Sequence, residues 1–175
     1  EQLRAHLQEK IRLLSEVKPE FGHSSSRVIV DIETLVLSAD ETSSSAAGEI
    51  LSDIGEEGRW LANDAYCRWE TELESEYADA IVGGSERSLR GYPHYARFEA
   101  RLAGELALIP LREGGRARFI GSGPFPVSAF HLLSQSPSCS VDCIDQDAEA
   151  VIASRQLVTA LGLENDIRIF HSRGG

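Results

Sequence analysis

The sequence predicts an α/β fold: a Rossmann-like domain in the carboxyl-terminal part, preceded by an all-helical amino-terminal cap. After residue 114, short strand patterns alternate with helical patterns, which is typical of a parallel sheet with right-handed crossovers. Before that point, apolar residues recur at spacings of three and four, as in amphipathic helices. A glycine-containing turn follows the first strand. We therefore divide the chain into a cap, 1–113, and a sheet-forming domain, 114–175.

The cap is predicted to be helical because its apolar residues fall on one face of each segment. Leu3, Leu7, Ile11 and Leu14 have this spacing, and Pro19 ends the first helix. The predicted helices are 1–17, 28–37, about 50–82 and 98–108. A serine-rich stretch, 40–48, is predicted to be a linker or loop.

The second part of the chain is predicted to hold three strands and two helices. The strands are 118–120, 140–144 and 167–170, and the helices are 127–134 and 148–161. A doubly wound sheet contains more strands than these. The sequence also contains no methionine. We therefore expect the Rossmann-like domain to be incomplete in this sequence.

Composition and charge exclude several classes of protein. The chain is 42% hydrophobic and carries a net charge of −11, without the basic patch of a nucleic-acid-binding protein. It has neither a membrane-spanning apolar run nor a signal-peptide pattern, so we expect a cytoplasmic protein. Cys67, Cys139 and Cys143 have no metal-ligand spacing, so we expect reduced thiols in the core and no bound metal.

The turn after the first strand is the strongest candidate for a binding site. Glycines at 121 and 123 allow a sharp turn and a close approach of a ligand, while Pro124 stiffens the helix start. Asp145 follows Gly123 by 22 positions, at the end of the second strand, where an acidic residue binds ribose hydroxyls. A plain tight turn is the alternative for the loop, and Asp145 or Asp147 could instead cap the next helix. Together the two signals favour an adenosine-containing ligand.

Several segments resemble the nicotianamine synthase family, in the same order and with similar spacing. They are Trp-Glu-Thr-Glu-Leu-Glu-Ser-Glu-Tyr at 69–77, Tyr-Pro-His-Tyr-Ala-Arg-Phe-Glu at 92–99, the loop at 119–126, Cys-Ile-Asp-Gln-Asp at 143–147 and Phe-His at 170–171. The resemblance implies a Rossmann-like domain that uses S-adenosyl-L-methionine as co-substrate. The cofactor-binding residues it implies are Gly121, Ser122, Gly123, Pro124, Asp145 and Gln146.

The resemblance also implies a reaction. Family members transfer the 3-amino-3-carboxypropyl (aminobutanoyl) group of S-adenosylmethionine to an amine and release methylthioadenosine. Plant and archaeal members make nicotianamine, whereas bacterial relatives modify histidine in metallophore biosynthesis. His94 and Arg97-Phe98 depart from the family pattern near the expected acceptor pocket. These departures favour a bacterial-type acceptor, histidine or a similar amine.

Within this resemblance, one helix carries the candidate catalytic carboxylates. Glu70, Glu74 and Tyr77 share a helical face by their spacing. We expect Glu74 to be the base, with Glu70 the next candidate and Tyr95 an orienting partner. We expect Tyr77, Tyr92 and His94 to bind the substrate, and His131, Trp60 and Trp69 to have packing roles. The alternative is a solvated acidic helix, because charge runs are usually exposed.

Three other functions remain open from the sequence: nicotianamine synthase proper, an S-adenosylmethionine-dependent methyltransferase on the same fold, and a non-catalytic fragment. The expected partner is a small-molecule amine, and a homodimer is possible. Nucleic acid and membrane partners are not expected.

Overall fold

The structure is a computed structural model that describes residues 9–10, 29, 31, 55–108 and 111–173. The chain divides into two compact units, Glu1–Glu70 and Thr71–Gly175. In the first unit, the Lys10 ammonium lies 2.6 Å from the Asp31 carboxylate, and the Ile29 side chain is buried. Most of the helices predicted over 1–17 and 28–37, and all of the linker at 40–48, lie outside the described residues.

Helix α1 covers Gly55–Val82 and confirms the long helix predicted over about 50–82, except for 50–54, which lie outside the described residues. Its amino-terminal part belongs to the first unit, where Trp69 is buried and its ring lies 5.7 Å from that of Tyr66. Trp60 is 63% exposed, so the prediction that it has a packing role was wrong. Cys67 is also exposed, on the solvent side of the helix, so it is not a core thiol.

The second unit contains the carboxyl-terminal part of α1 and all elements after it. A 3₁₀ turn covers Leu89–Gly91, and helix α2 covers Tyr95–Leu108. Helix α2 begins three residues before the predicted start, because the Phe98 amide already donates to the His94 carbonyl at 3.1 Å, in the α-helical pattern. The remaining elements are β1 at Arg116–Ile120, α3 at Val127–Gln135, β2 at Ser140–Asp145, α4 at Ala148–Ala160 and β3 at Ile167–His171.

The three strands form a parallel sheet in the order β1-β2-β3, which confirms the predicted βαβαβ alternation. Each strand boundary lies within two residues of the prediction. Successive side chains along each strand point to opposite faces of the sheet. Val141 and Cys143 on β2, with Ile167 and Ile169 on β3, are buried in the apolar core.

The two carboxyl-terminal cysteine thiols lie in the apolar core, which affects their protonation and reactivity. Cys139 and Cys143 are buried and free, as predicted. Burial, together with the nearby Asp142 carboxylate, raises the pKa of the Cys143 thiol to about 12. A thiol with such a pKa stays protonated and unreactive near neutral pH. Cys143 is therefore a packing residue.

Alternate positions on the strands form a charged row across the sheet. Arg118, Asp142 and Arg168 are register partners on β1, β2 and β3. The Asp142 carboxylate accepts hydrogen bonds from Arg168 at 2.6 and 2.9 Å, and guanidinium groups of Arg118 and Arg116 lie 3.6 and 3.9 Å away. Burial alone would raise the pKa of Asp142, but the arginines outweigh burial and lower it. This buried carboxylate is therefore ionised and paired.

Among the described residues, no helix combines the length and the apolar character that crossing a bilayer requires.

Candidate functional site

The loop after β1 is built on two glycines in left-handed backbone conformations. Gly121 has φ +71° and Gly123 has φ +66°, values that residues with a Cβ adopt only with strain. The amides of Gly121 and Ser122 donate to the Ile144 carbonyl at 2.9 and 3.3 Å. These bonds attach the loop to the carboxyl end of β2, at the edge of the sheet where parallel α/β proteins bind ligands.

Asp145 links this loop to the next one through both carboxylate oxygens. Oδ2 accepts the Gly123 amide at 2.8 Å, and Oδ1 accepts the Asp147 amide at 2.9 Å. Asp147 caps α4 by accepting the Glu149 amide at 2.9 Å. The capping role that the sequence left open thus belongs to Asp147. Each oxygen of Asp145 retains a lone pair, because a carboxylate offers about four acceptor positions.

The end of β3 supports the loop after β2. The Ser172 amide donates to the Asp145 carbonyl at 2.8 Å, and His171 Nε2 lies 3.0 Å from the Gln146 carbonyl oxygen. The Gln146 side chain is exposed beside these contacts. The three strand ends therefore converge around the predicted nucleoside-binding residues.

Glu74 lies at the glycine loop. Its side chain is 8% exposed, whereas Glu72 and Glu76 on the same helix are exposed to solvent. A Cβ at Gly123 would collide with Glu74 Oε2 and would lie 3.4 Å from its Cδ. A Cβ at Gly121 would meet no atom within 4 Å. The missing side chain of Gly123 thus makes room for the glutamate, while the space at Gly121 is open to a ligand.

Aromatic rings from three segments surround the loop residue Phe125. Its ring centroid lies 4.9 Å from Tyr92, 5.4 Å from Tyr77 and 5.7 Å from Phe130. The His94 ring contacts Tyr92 at 5.6 Å. The three residues predicted to bind the substrate are therefore gathered in one cluster. Phe125 was not predicted, since an apolar residue within a turn carries no distinctive signal.

Hydrogen bonding fixes Tyr77 within this cluster. Its hydroxyl donates to the Ser88 carbonyl at 2.8 Å. Gly91 has no room for a Cβ, which would collide with this same hydroxyl. Burial raises the pKa of Tyr77, and the nearby Glu86 carboxylate raises it further. Tyr77 is therefore a neutral phenol in a defined orientation near neutral pH.

Tyr95 is buried in a different environment. Its ring makes an edge contact with His131 at 6.3 Å, and the Arg90 guanidinium lies over the ring at 5.5 Å. Burial raises the pKa of Tyr95, the Arg90 charge opposes this shift, and Glu99 reinforces it. His131 is buried on α3, in keeping with its predicted packing role. Neither Arg90 nor Glu99 was predicted to be a neighbour of Tyr95.

The structure thus brings together Glu74, Gly123 and Asp145 at one place, with Ser122 and Pro124 in the same loop. Ser122 lies beside the Cys143 thiol, and Pro124 is buried. Glu70 is the last residue of the first unit, and its part in catalysis stays a prediction. Across the residues that the structure describes, no group of three or more His, Cys, Asp or Glu side chains is placed to hold a metal ion.

Comparisons with known proteins agree with this architecture. The family model of the nicotianamine synthase protein matches residues 4–172. The L-histidine 2-aminobutanoyltransferase of Yersinia pestis is 29% identical over 110 residues, which are 63% of this chain and 38% of that protein. The chain therefore spans well under half the length of this curated relative.

Two similar solved structures are of a protein called MtNAS. The complex of MtNAS with MTA and tNA has a TM-score of 0.75 and 23% identity, and covers 96% of this chain and 64% of MtNAS. A Glu→Gln variant of MtNAS in complex with S-adenosylmethionine has a TM-score of 0.72 and 24% identity, and covers 94% and 65%. These structures share the fold of this chain. With the family model matching nearly its full length, the chain belongs to the nicotianamine synthase family.

Proposed function

We propose that the protein transfers the 3-amino-3-carboxypropyl group of S-adenosylmethionine to an amine. The amine nitrogen attacks the Cγ carbon next to the sulfonium, the Cγ–S bond breaks, and the bonding electrons leave with methylthioadenosine. The nitrogen loses one proton to a base. Family membership supports this reaction, and so does the arrangement of the residues around the glycine loop.

The glycine loop and Asp145 fit the nucleoside part of S-adenosylmethionine. Open space at Gly121 allows a ligand to approach the backbone, and the free lone pairs of Asp145 can accept ribose hydroxyls. The bound S-adenosylmethionine in the MtNAS variant supports the same ligand for this related fold. Gln146, exposed at the same edge, is the residue we expect next to the sugar.

Electrostatics also favour S-adenosylmethionine, which carries a positive sulfonium. Glu74 and Asp145 place two carboxylates on either side of Gly123. Charges interact more strongly in a partly buried site than in water. A positively charged ligand is therefore attracted to this loop, whereas an anionic dinucleotide would be repelled.

The position of the Glu74 carboxylate against Gly123 is the single observation that carries the proposal. It places an acceptor of protons at the loop that would hold the sulfonium. An attacking amine has to be neutral and aligned with the Cγ–S bond at about 3–3.5 Å. Glu74 is placed to bind the ammonium form of the acceptor and to remove its proton.

We infer that the acceptor binds beside the aromatic cluster of Tyr77, Tyr92 and His94, and that it is histidine or a similar amine. The histidine-modifying activity named for the Yersinia pestis relative supports this choice. Tyr95, the predicted orienting partner, is a neutral phenol near neutral pH because its pKa is raised. A neutral phenol can donate a hydrogen bond to the acceptor.

The proposal is tested by incubating the full-length protein with S-adenosylmethionine and candidate amines, histidine first, and analysing products by mass spectrometry. We expect methylthioadenosine and a histidine heavier by one aminocarboxypropyl group, in equal amounts. S-adenosylhomocysteine would instead identify a methyltransferase, and nicotianamine formed without added histidine would identify a nicotianamine synthase proper. No product with any amine would indicate a non-catalytic protein.

A cytoplasmic location and a homodimer remain predictions from the sequence. Sedimentation velocity of the full-length protein would measure the oligomeric state, and fractionation of producing cells would measure the location.

A further inference from the structure

A second cluster of polar groups lies around Tyr95, apart from the glycine loop. It consists of Arg90 on the 3₁₀ turn, Tyr95 and Glu99 on α2, and His131 on α3. Tyr95 and Glu99 are four residues apart, so they lie one above the other on the same face of α2. Three separate elements thus contribute side chains to the surroundings of one buried phenol.

One carboxylate oxygen holds this cluster together. Glu99 Oε1 lies 3.3 Å from the Arg90 guanidinium and 3.5 Å from His131 Nδ1. The side chain of His131 is almost fully buried, whereas that of Arg90 is largely exposed. Glu99 therefore connects a solvent-exposed cation to a buried imidazole.

Arg90, which donates a hydrogen bond to Glu99, and His131, whose Nδ1 lies near the same carboxylate, both contact the Tyr95 ring. Arg90 lies over the ring face at 5.5 Å, a favourable cation–π distance, and His131 meets the ring in an edge contact at 6.3 Å. Contacts on both sides restrict rotation of the ring. Within the described part of the chain, no hydrogen bond is recorded for the Tyr95 hydroxyl, which leaves its orientation dependent on the ring contacts.

We propose that Arg90, Glu99 and His131 are positioning residues that hold the Tyr95 phenol in one orientation toward the acceptor amine. This inference rests on the proposed aminocarboxypropyl transfer. Ordinary helix packing would not need a shared carboxylate between two groups that both contact the same ring. A surface ion pair of this exposure also adds little to folding stability, so its principal effect is on geometry.

A double-mutant cycle tests the proposal. We expect Glu99→Gln in the full-length protein to lower kcat about tenfold, because small misplacements of a catalytic group are costly, and to leave the Kd for S-adenosylmethionine unchanged. In a Tyr95→Phe background the same substitution should lower kcat no further, since the phenol it positions is gone. Equal losses in both backgrounds would overturn the positioning role.

Glu105→Gln is the matched control. Glu105 is on the same helix and forms an exposed pair with Arg101 at 3.0 Å, four residues away, without contact to Tyr95. We expect its substitution to leave kcat unchanged. A loss equal to that of Glu99→Gln would show that the helix, and not Tyr95, is being disturbed.

A spectroscopic measurement distinguishes this inference from the proposed function. The chain has four tyrosines, so ¹³C labelling of the tyrosine ring gives few signals, and Tyr95→Phe identifies the one of interest. Glu99→Gln should lower the phenol pKa, because the Glu99 charge raises it, and Arg90→Gln should raise it. If both substitutions leave the phenol pKa of Tyr95 unchanged while the unsubstituted protein is active, the positioning role is overturned and the proposed function stands. Absence of transfer in the unsubstituted protein would overturn the proposed function.

Discussion

Two buried aspartates on β2, Asp142 and Asp145, lie three residues apart and are held by different kinds of partner. Three guanidinium groups surround the Asp142 carboxylate, and one of them, that of Arg168, donates two hydrogen bonds to it. Asp145, in the described part of the chain, accepts backbone amides of Gly123 and Asp147. The first carboxylate is paired with full positive charges, and the second is oriented by dipoles alone.

This difference separates a structural carboxylate from one that is available to a ligand. Charge pairing satisfies Asp142 within the sheet and leaves nothing for a cationic ligand to gain. Backbone amides hold Asp145 in place, next to Glu74 at the same glycine, and no cationic side chain of the described residues pairs with it. We therefore expect substitutions at Asp142 to change folding stability, and substitutions at Glu74 or Asp145 to change ligand binding and turnover.

The largest effect is expected from Glu74→Gln. Removal of a general base lowers turnover by about 10²–10⁴-fold, so we expect a loss of about 1,000-fold in methylthioadenosine formation. Binding of S-adenosylmethionine, measured by calorimetry, should persist. Glu76→Gln is the matched control, because Glu76 is exposed on the same helix. Comparable losses in the two variants would mean that helix charge, and not the buried carboxylate, is responsible.

The next effect concerns stability. Asp142→Ala removes the negative partner of three arginines and two charge-assisted hydrogen bonds from Arg168, which together cost about 3 kcal/mol of unfolding free energy. Urea unfolding at pH 7 measures this loss, while the Kd for S-adenosylmethionine should stay the same. Glu113→Ala, at an exposed position, should leave the unfolding free energy unchanged. A large change in the Kd for S-adenosylmethionine in Asp142→Ala would contradict the assignment of Asp142 to folding stability and of Asp145 to ligand binding.

The same variant should show a defined pH dependence. The folded pKa of Asp142 is below its ordinary value of 3.8, so the ionised carboxylate stabilises the fold fully above that value. Its contribution is lost as the pH falls through the lower folded pKa. The unfolding free energies of Asp142→Ala and the unsubstituted protein should therefore differ at pH 7 and converge below pH 3.8. A constant difference down to the most acidic stable condition would contradict this assignment.

A smaller stability effect is expected at the glycine loop. Gly123→Ala places a Cβ in a left-handed conformation and against Glu74, which together should cost about 2 kcal/mol. Gly114→Ala is the matched control, since Gly114 has a similar φ of +67° and open space around it. We expect Gly123→Ala to be the more destabilised of the two and to lose turnover as well. Equal stability and unchanged turnover would show that Glu74 does not depend on this glycine.

The smallest effect is expected for Asp145→Asn. The asparagine side chain lacks one hydrogen-bond acceptor and the negative charge of the carboxylate. The Kd for S-adenosylmethionine should therefore rise about tenfold, which corresponds to a loss of about 1.4 kcal/mol of binding free energy. Asp147→Asn should bind S-adenosylmethionine normally, because asparagine caps a helix as well as aspartate does. If Asp147→Asn weakened binding as much as Asp145→Asn, loop order would explain the loss better than contact with the ligand.

The local features of the fold could be predicted from sequence because they depend on nearby residues. Glycines at 121 and 123 mark the turn, and the alternation of apolar runs identifies the βαβαβ order. The helical spacing also placed Glu70 and Glu74 on one face, apart from Glu72 and Glu76, which are exposed. These predictions needed only patterns within a few turns of the chain.

Contacts between distant segments could not be predicted in the same way. Arg118, Asp142 and Arg168 meet because of the register of three strands, which no single stretch of sequence specifies. The link between Glu99 and His131 likewise depends on how α2 packs against α3. Trp60 shows the opposite error, because an aromatic residue in a helical pattern was expected to pack and is exposed.

A crystal structure of the full-length protein with S-adenosylmethionine would test the position of Glu74 most directly. We expect the nucleoside at the Gly121–Gly123 loop and the Glu74 carboxylate within about 4 Å of the space beside the Cγ–S bond, where an attacking nitrogen would lie. A Glu74 side chain turned to solvent, or a ligand bound away from this loop, would contradict the proposed chemistry.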